Sequence, residues 1–159
     1  MNTRAQAVRL LLCLAAVAVA AVVGGLGTRA SLEDWYGRLA KPSWTPPGWL
    51  FGPAWTVLYL SMAVAAWLVW RTGDSGATTR ALTVFAVQLG LNAIWPLLFF
   101  GLRMPGAAFV EIAVLWVAIL VTVVVFWRSV PAAGLLLIPY LGWVTFAAAL
   151  NLAIWRMNA

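Results

Sequence analysis

Met104 to Trp127 reads MPGAAFVEIAVLWVAILVTVVVFW, an apolar run broken only by Glu111. About 20 residues of α-helix cross the hydrocarbon of a bilayer, so this stretch is one membrane span. Leu10 to Thr28, Gly48 to Trp70, Ala81 to Leu102 and Ser129 to Trp155 are four further uncharged runs of sufficient length. None alternates apolar and polar residues as a barrel strand does. The sequence therefore predicts an all-α integral membrane protein, a single domain over 1–159 built as a five-helix transmembrane bundle. The expected spans are 8–28, 48–70, 81–102, 105–127 and 131–155, with a loop at 29–47 between the first two.

Composition agrees. The 159 residues are 65% hydrophobic and 9% charged, where a soluble domain carries roughly 25% charged residues. There is no His, and Cys13 is the one thiol. That excludes an intrachain disulfide, His-ligated metal and any Ser-His or Cys-His nucleophile. No obligatory cofactor or metal is expected. A net charge of +6 on so apolar a chain points to lipid headgroups or an anionic ligand rather than nucleic acid.

Trp70-Arg71, Trp127-Arg128 and Trp155-Arg156 mark span ends with an interfacial ring followed by a cation. Pro105 and Pro131 fall at helix starts, where proline costs least. The connector Thr72 to Thr79 reads as plain and polar. The first apolar run exceeds the roughly 7–15 residues of a signal-peptide core, so it is expected to persist as a span. Orientation stays open. Arg4, Arg9, Arg71, Arg80 and Arg128 share one side; Arg29, Arg38, Lys41, Arg103 and Arg156 share the other.

The 29–47 loop carries Trp35, Tyr36, Trp44, Pro42, Pro46 and Pro47, unlike a Gly/Ser linker. Prolines fix φ and aromatics give it something to pack, which predicts an ordered cap. The alternative is a loop whose tryptophans rest in headgroups. Counted from the loop side at 1.5 Å per residue, Trp55, Tyr59, Gln88, Asn92, Trp95, Glu111, Trp143, Ala147 and Asn151 lie roughly 6–21 Å deep. Gln88, Asn92, Trp95 and Phe99 fall on one helical stripe. Trp143, Phe146, Ala147 and Leu150 form a second stripe, and Phe51, Trp55 and Tyr59 a third. Polar groups in a span face the bundle, so the stripes predict a pocket for a flat, largely apolar ligand. A single amide in a span is often interhelical glue worth about 0.6–2 kcal/mol; the convergence of several under one aromatic loop favours a site. For Glu111 the expectation is structural: it snorkels toward Arg103 or meets its helix N-terminus, the alternative being a proton or cation handle.

Trp35-Tyr36-x-x-Leu39-x-Lys41-Pro42-x-Trp44-x-Pro46-Pro47 and Phe51-x-x-x-Trp55-x-x-Leu58-Tyr59 resemble the tryptophan-rich sensory protein family, which includes the mitochondrial translocator protein, or peripheral-type benzodiazepine receptor. Gln88-Leu89-x-Leu91-Asn92-x-x-Trp95-x-x-x-Phe99-Phe100-Gly101 and Pro139-Tyr140-Leu141-x-Trp143-x-x-Phe146-Ala147-x-x-Leu150-Asn151 resemble its third- and fifth-helix signatures. The resemblance covers about residues 24–156. It implies a dimeric five-helix protein that binds tetrapyrroles such as protoporphyrin, with a sensory or regulatory role. By position it makes Trp35, Pro42 and Trp44 cap residues. Phe51, Trp55, Tyr59, Asn92, Trp95, Trp143, Phe146, Ala147 and Leu150 would line the pocket, with Gly24 admitting the ligand edge. Arg38 and Lys41 could then meet porphyrin propionates. Leu152 stands where the family's sterol-recognition pattern needs tyrosine, which argues against sterol binding through that motif.

Two small-residue faces could pair with a second copy: Ala16-x-x-x-Ala20-x-x-x-Gly24 in the first span and Ala86-x-x-x-Gly90 in the third. The resemblance favours the third. Porphyrin binding is the leading functional expectation; light- and oxygen-dependent porphyrin degradation and transport of a hydrophobic ligand are the alternatives. No acid–base pair supports catalysis, and no inverted repeat supports a transporter.

Overall fold

The computed structural model describes residues 3–29 and 31–159. Met1, Asn2 and Ala30, which the expected domain includes, lie outside the described residues. All the regular elements are helical, and five spans are long and apolar enough to cross a bilayer. The first is Thr3–Arg29, the second Phe51–Trp70 after a 3₁₀ turn at Gly48–Leu50, and the fourth Pro105–Ser129. The third runs Gly76–Pro96 and ends in a wider π-helical turn, Leu97–Gly101. The fifth is split at Leu137 into Pro131–Leu136 and Ile138–Met157. This is a multi-pass integral membrane protein.

Two boundaries differ from the hydropathy reading. The third span begins at Gly76, before the expected 81, because the Ser75 hydroxyl accepts the Thr78 N–H at 3.2 Å and caps a polar first turn. Hydropathy finds the part of a helix inside hydrocarbon and misses a turn that continues into water. The first span likewise starts at Thr3. Nor is the 72–79 connector plain. Arg9 donates to the Trp70 carbonyl at 2.8 Å and to Asp74 at 2.5 Å, clamping the first span to the end of the second.

The spans pack in the ring order first, second, fifth, fourth, third. The second span buries Met62, Ala63, Ala65, Ala66 and Val69 almost fully in a core shared with Ile112, Leu115, Ile119 and Phe126 of the fourth, and packs most closely on the first. Small residues permit such close approach, since lipid supplies no hydrophobic drive between helices. The outward faces are as apolar as the core: Val110, Val114, Val117 and Val124 stand exposed. That is why hydropathy locates a span and leaves its inward face to the polar residues. Hydroxyls within the spans bond their own backbones, as Thr56 does to Gly52 O and Thr122 to Ala118 O.

Of the small-residue stripe of the first span, Ala20 and Gly24 are buried inside the chain and Ala16 is exposed. A Cβ on Gly24 would lie 3.2 Å from Pro96 Cγ, and one on Gly27 2.9 Å from Leu97 Cδ2. Ala86 and Gly90 of the third span remain on the outer surface.

Candidate binding site

A chain of phenols and amides ties the second, third and fifth spans together. Tyr59 Oη donates to Asn92 Oδ1 at 2.7 Å, Asn92 Nδ2 to Tyr140 Oη at 3.0 Å, and Tyr140 Oη to Gln88 Oε1 at 3.1 Å. Gln88, Asn92 and Tyr140 are almost wholly buried, as groups too polar to face lipid must be. Nearer the loop, Trp95 Nε1 donates to Asn151 Oδ1 at 3.0 Å, and Asn151 Nδ2 to the Pro105 carbonyl at 2.8 Å. One amide thus joins the ends of the third and fifth spans to the start of the fourth.

Aromatic rings fill the space above this chain. Trp55 leans on Tyr59 at 5.4 Å and meets Tyr140 edge-on at 6.3 Å. Phe51 meets Trp143 at 5.8 Å, and Trp143 meets Phe146 at 5.7 Å. Trp95 stacks on Phe99 at 5.3 Å. These separations are those of offset and edge-to-face pairs.

The loop closes over the rings as an ordered cap. Trp35 and Tyr36 sit edge-on to Phe99, and Trp44 to Phe146. The Pro42 carbonyl accepts both the N–H and the hydroxyl of Thr45, fixing a turn. At the C-terminal end, Asn158 Oδ1 accepts the Ala40 N–H at 3.0 Å while its Nδ2 donates to the Ala40 carbonyl at 2.9 Å. This two-bond clamp spans 118 positions of sequence, and no local pattern announces it.

All three aromatic stripes turn inward, as expected. Leu150 is buried with Phe99 beside the loop, and Ala147 packs against the main core. Three expectations are corrected. Gly24 packs on Pro96, so the space beside it is taken by the third span rather than left for a ligand edge. Arg38 pairs with Asp34 at 2.7 Å, and Lys41 donates to the Gly37 and Leu39 carbonyls and lies 4.8 Å over the Tyr36 ring. Both cations are therefore turned to the loop's own acceptors. Burial pushes the Tyr36 phenol up from its ordinary value. Finally, Glu111 does not snorkel: both carboxyl oxygens are buried with no hydrogen-bond partner among the described residues. Its side chain turns inward rather than to Arg103.

The hub Tyr140 was missing from the expected lining. It lies one turn before Trp143 on the same stripe, so extending that stripe by three positions would have found it. Among the described residues, no group of three or more Cys, Asp or Glu is placed to hold a metal. Between the second and fifth spans an open apolar groove of about 470 Å³ borders Trp143 and Phe146. The loop-side half of the bundle thus carries a cluster of aromatic rings packed above a buried phenol–amide chain.

A five-span membrane protein with a capped aromatic site in one half of the bundle is the class that this fold defines. The chain belongs to the TspO/MBR family, whose match covers residues 11–156. It is 42% identical over 151 residues to the "Tryptophan-rich protein TspO" of Archaeoglobus fulgidus, covering 95% of this chain and 97% of that one. It is 42% identical over 127 residues to the human "Translocator protein", covering 78% and 75%. Against the "Tryptophan-rich sensory protein" of Cereibacter sphaeroides it is 38% identical over 145 residues, covering 91% and 88%.

Proposed function

We propose that this protein is a sensory or regulatory membrane receptor that holds a tetrapyrrole in the aromatic site beneath the loop. The observation that carries the reading is the ring cluster beneath the loop, where Phe51 meets Trp143, Trp143 meets Phe146 and Phe146 meets Trp44 at 5.7–5.8 Å. A porphyrin is flat and apolar with two anionic arms, and indole faces match its plane. The names of the relatives, sensory and translocator proteins, agree with a ligand-responsive membrane role.

The test is titration of the protein in lipid nanodiscs with protoporphyrin, read by tryptophan quenching. Saturation at a fixed ratio of ligand to chain is the expected result; quenching that rises linearly with no end point overturns the reading.

We further propose a homodimer through the third span. Ala86 and Gly90 face outward, and a Cβ on Gly90 would meet nothing within 4 Å, leaving the close approach that paired helices need. Gly90→Leu should halve the protein mass measured by light scattering in detergent. An unchanged dimer places the interface elsewhere.

A further inference from the structure

The helical ring is closed unevenly. The second and fifth spans pack through Pro131–Leu136, at the end away from the loop. Over Ile138–Met157 the backbone of the fifth span stays on the fourth and draws away from the second, which it meets through the rings of Tyr140 and Trp143. The two therefore splay toward the half of the bundle that the loop covers. The open groove lies in this seam, with Pro53, Ala54 and Val57 on one wall and Gly142, Trp143 and Phe146 on the other. Its wall is thin where residues are small: a Cβ on Gly142 would meet nothing within 4 Å.

Trp143 and Phe146 belong both to this groove and to the inner cluster, where they meet Phe51, Trp44 and each other. No hydrogen bond among the described residues holds the Trp143 indole, so apolar packing alone opposes its swing. The roof is held differently. Entry from water would break the two Ala40–Asn158 bonds and lift Trp35 and Tyr36 from Phe99 and Trp44 from Phe146. An apolar ligand dissolved in the bilayer already lies at the level of the seam and needs none of that.

Resting on the reading of the site as a tetrapyrrole pocket, we propose that the ligand enters sideways from the membrane between the second and fifth spans. Trp143 is the swinging barrier, and the roof stays shut. This assigns Gly142 and Ala54 as gate residues that set the rate of exchange rather than the affinity.

The experiment mixes nanodisc-embedded protein with protoporphyrin-loaded phosphatidylcholine vesicles and follows tryptophan quenching by stopped flow. Gly142→Leu and, from the opposite wall, Ala54→Phe narrow the seam; Asn158→Ala unlatches the roof. Both seam variants should slow association and dissociation about ten-fold or more while Kd moves far less, the signature of a raised barrier between unchanged end states. Asn158→Ala should leave both rates within about two-fold. Seam variants that exchange at the original rate overturn lateral entry, as does acceleration of about ten-fold in Asn158→Ala. Quenching by the unmodified protein that never saturates overturns the pocket and the gate together. Saturable quenching with unaffected seam variants overturns the gate alone.

Discussion

Trp143→Ala should weaken protoporphyrin binding about thirty-fold, the equivalent of roughly 2 kcal/mol. The indole is a half-buried plate meeting Phe51 and Phe146 at under 6 Å, and it forms part of the groove wall. Removing it takes away a stacking face and opens the wall to lipid. Because the indole holds no hydrogen bond among the described residues, the fold should tolerate its loss. Thermal unfolding in detergent then separates a binding defect from a folding defect. Trp143→Phe keeps a smaller ring and should recover most of the affinity. A Kd for the alanine variant within about two-fold of the original would remove Trp143 from the site.

The second large effect concerns the hairpin between the fourth and fifth spans. Gly134 is buried in Pro131–Leu136, where a Cβ would lie 2.8 Å from Trp127 Cβ and 2.9 Å from Trp127 Cα and N. Two of those atoms are backbone and cannot turn aside. Gly134→Val should therefore destabilise the protein by about 1–3 kcal/mol, by forcing apart the helices that it joins. It also displaces the segment of the fifth span whose backbone packs most closely on the second. Gly52 is the control: a Cβ there meets nothing within 4 Å, and Gly52→Ala should gain up to about 1 kcal/mol of helix propensity. Equal melting midpoints for Gly134→Val and the unmodified protein would show that the hairpin yields.

Both effects depend on neighbours that lie far apart in the chain or across a turn, and here sequence and structure part company. The number of spans, their order and the inward aim of Gln88, Asn92 and Trp95 were legible in the sequence. Each follows from what a residue costs in lipid, a property of that residue and of the helix beneath it. The prolines and tryptophans of the loop left an ordered cap and a loop resting in headgroups equally open, and the ring contacts to Phe99 and Phe146 decided for the cap.

The rest needed partners. Gly24 looked like room for a ligand until Pro96 of the third span filled it. Arg38 and Lys41 looked available for propionates, but Asp34 and two loop carbonyls hold them. Asn158 reads as an ordinary polar residue near a terminus, yet it clamps the loop at Ala40. The widening seam between the second and fifth spans is written in neither helix, because it arises from where the fifth span breaks at Leu137 and which neighbour it then follows. Sequence by itself determined which side chains must leave the lipid. Tertiary structure alone decided whom they meet, because side-chain burial costs are set residue by residue, while a contact depends on two surfaces arriving together.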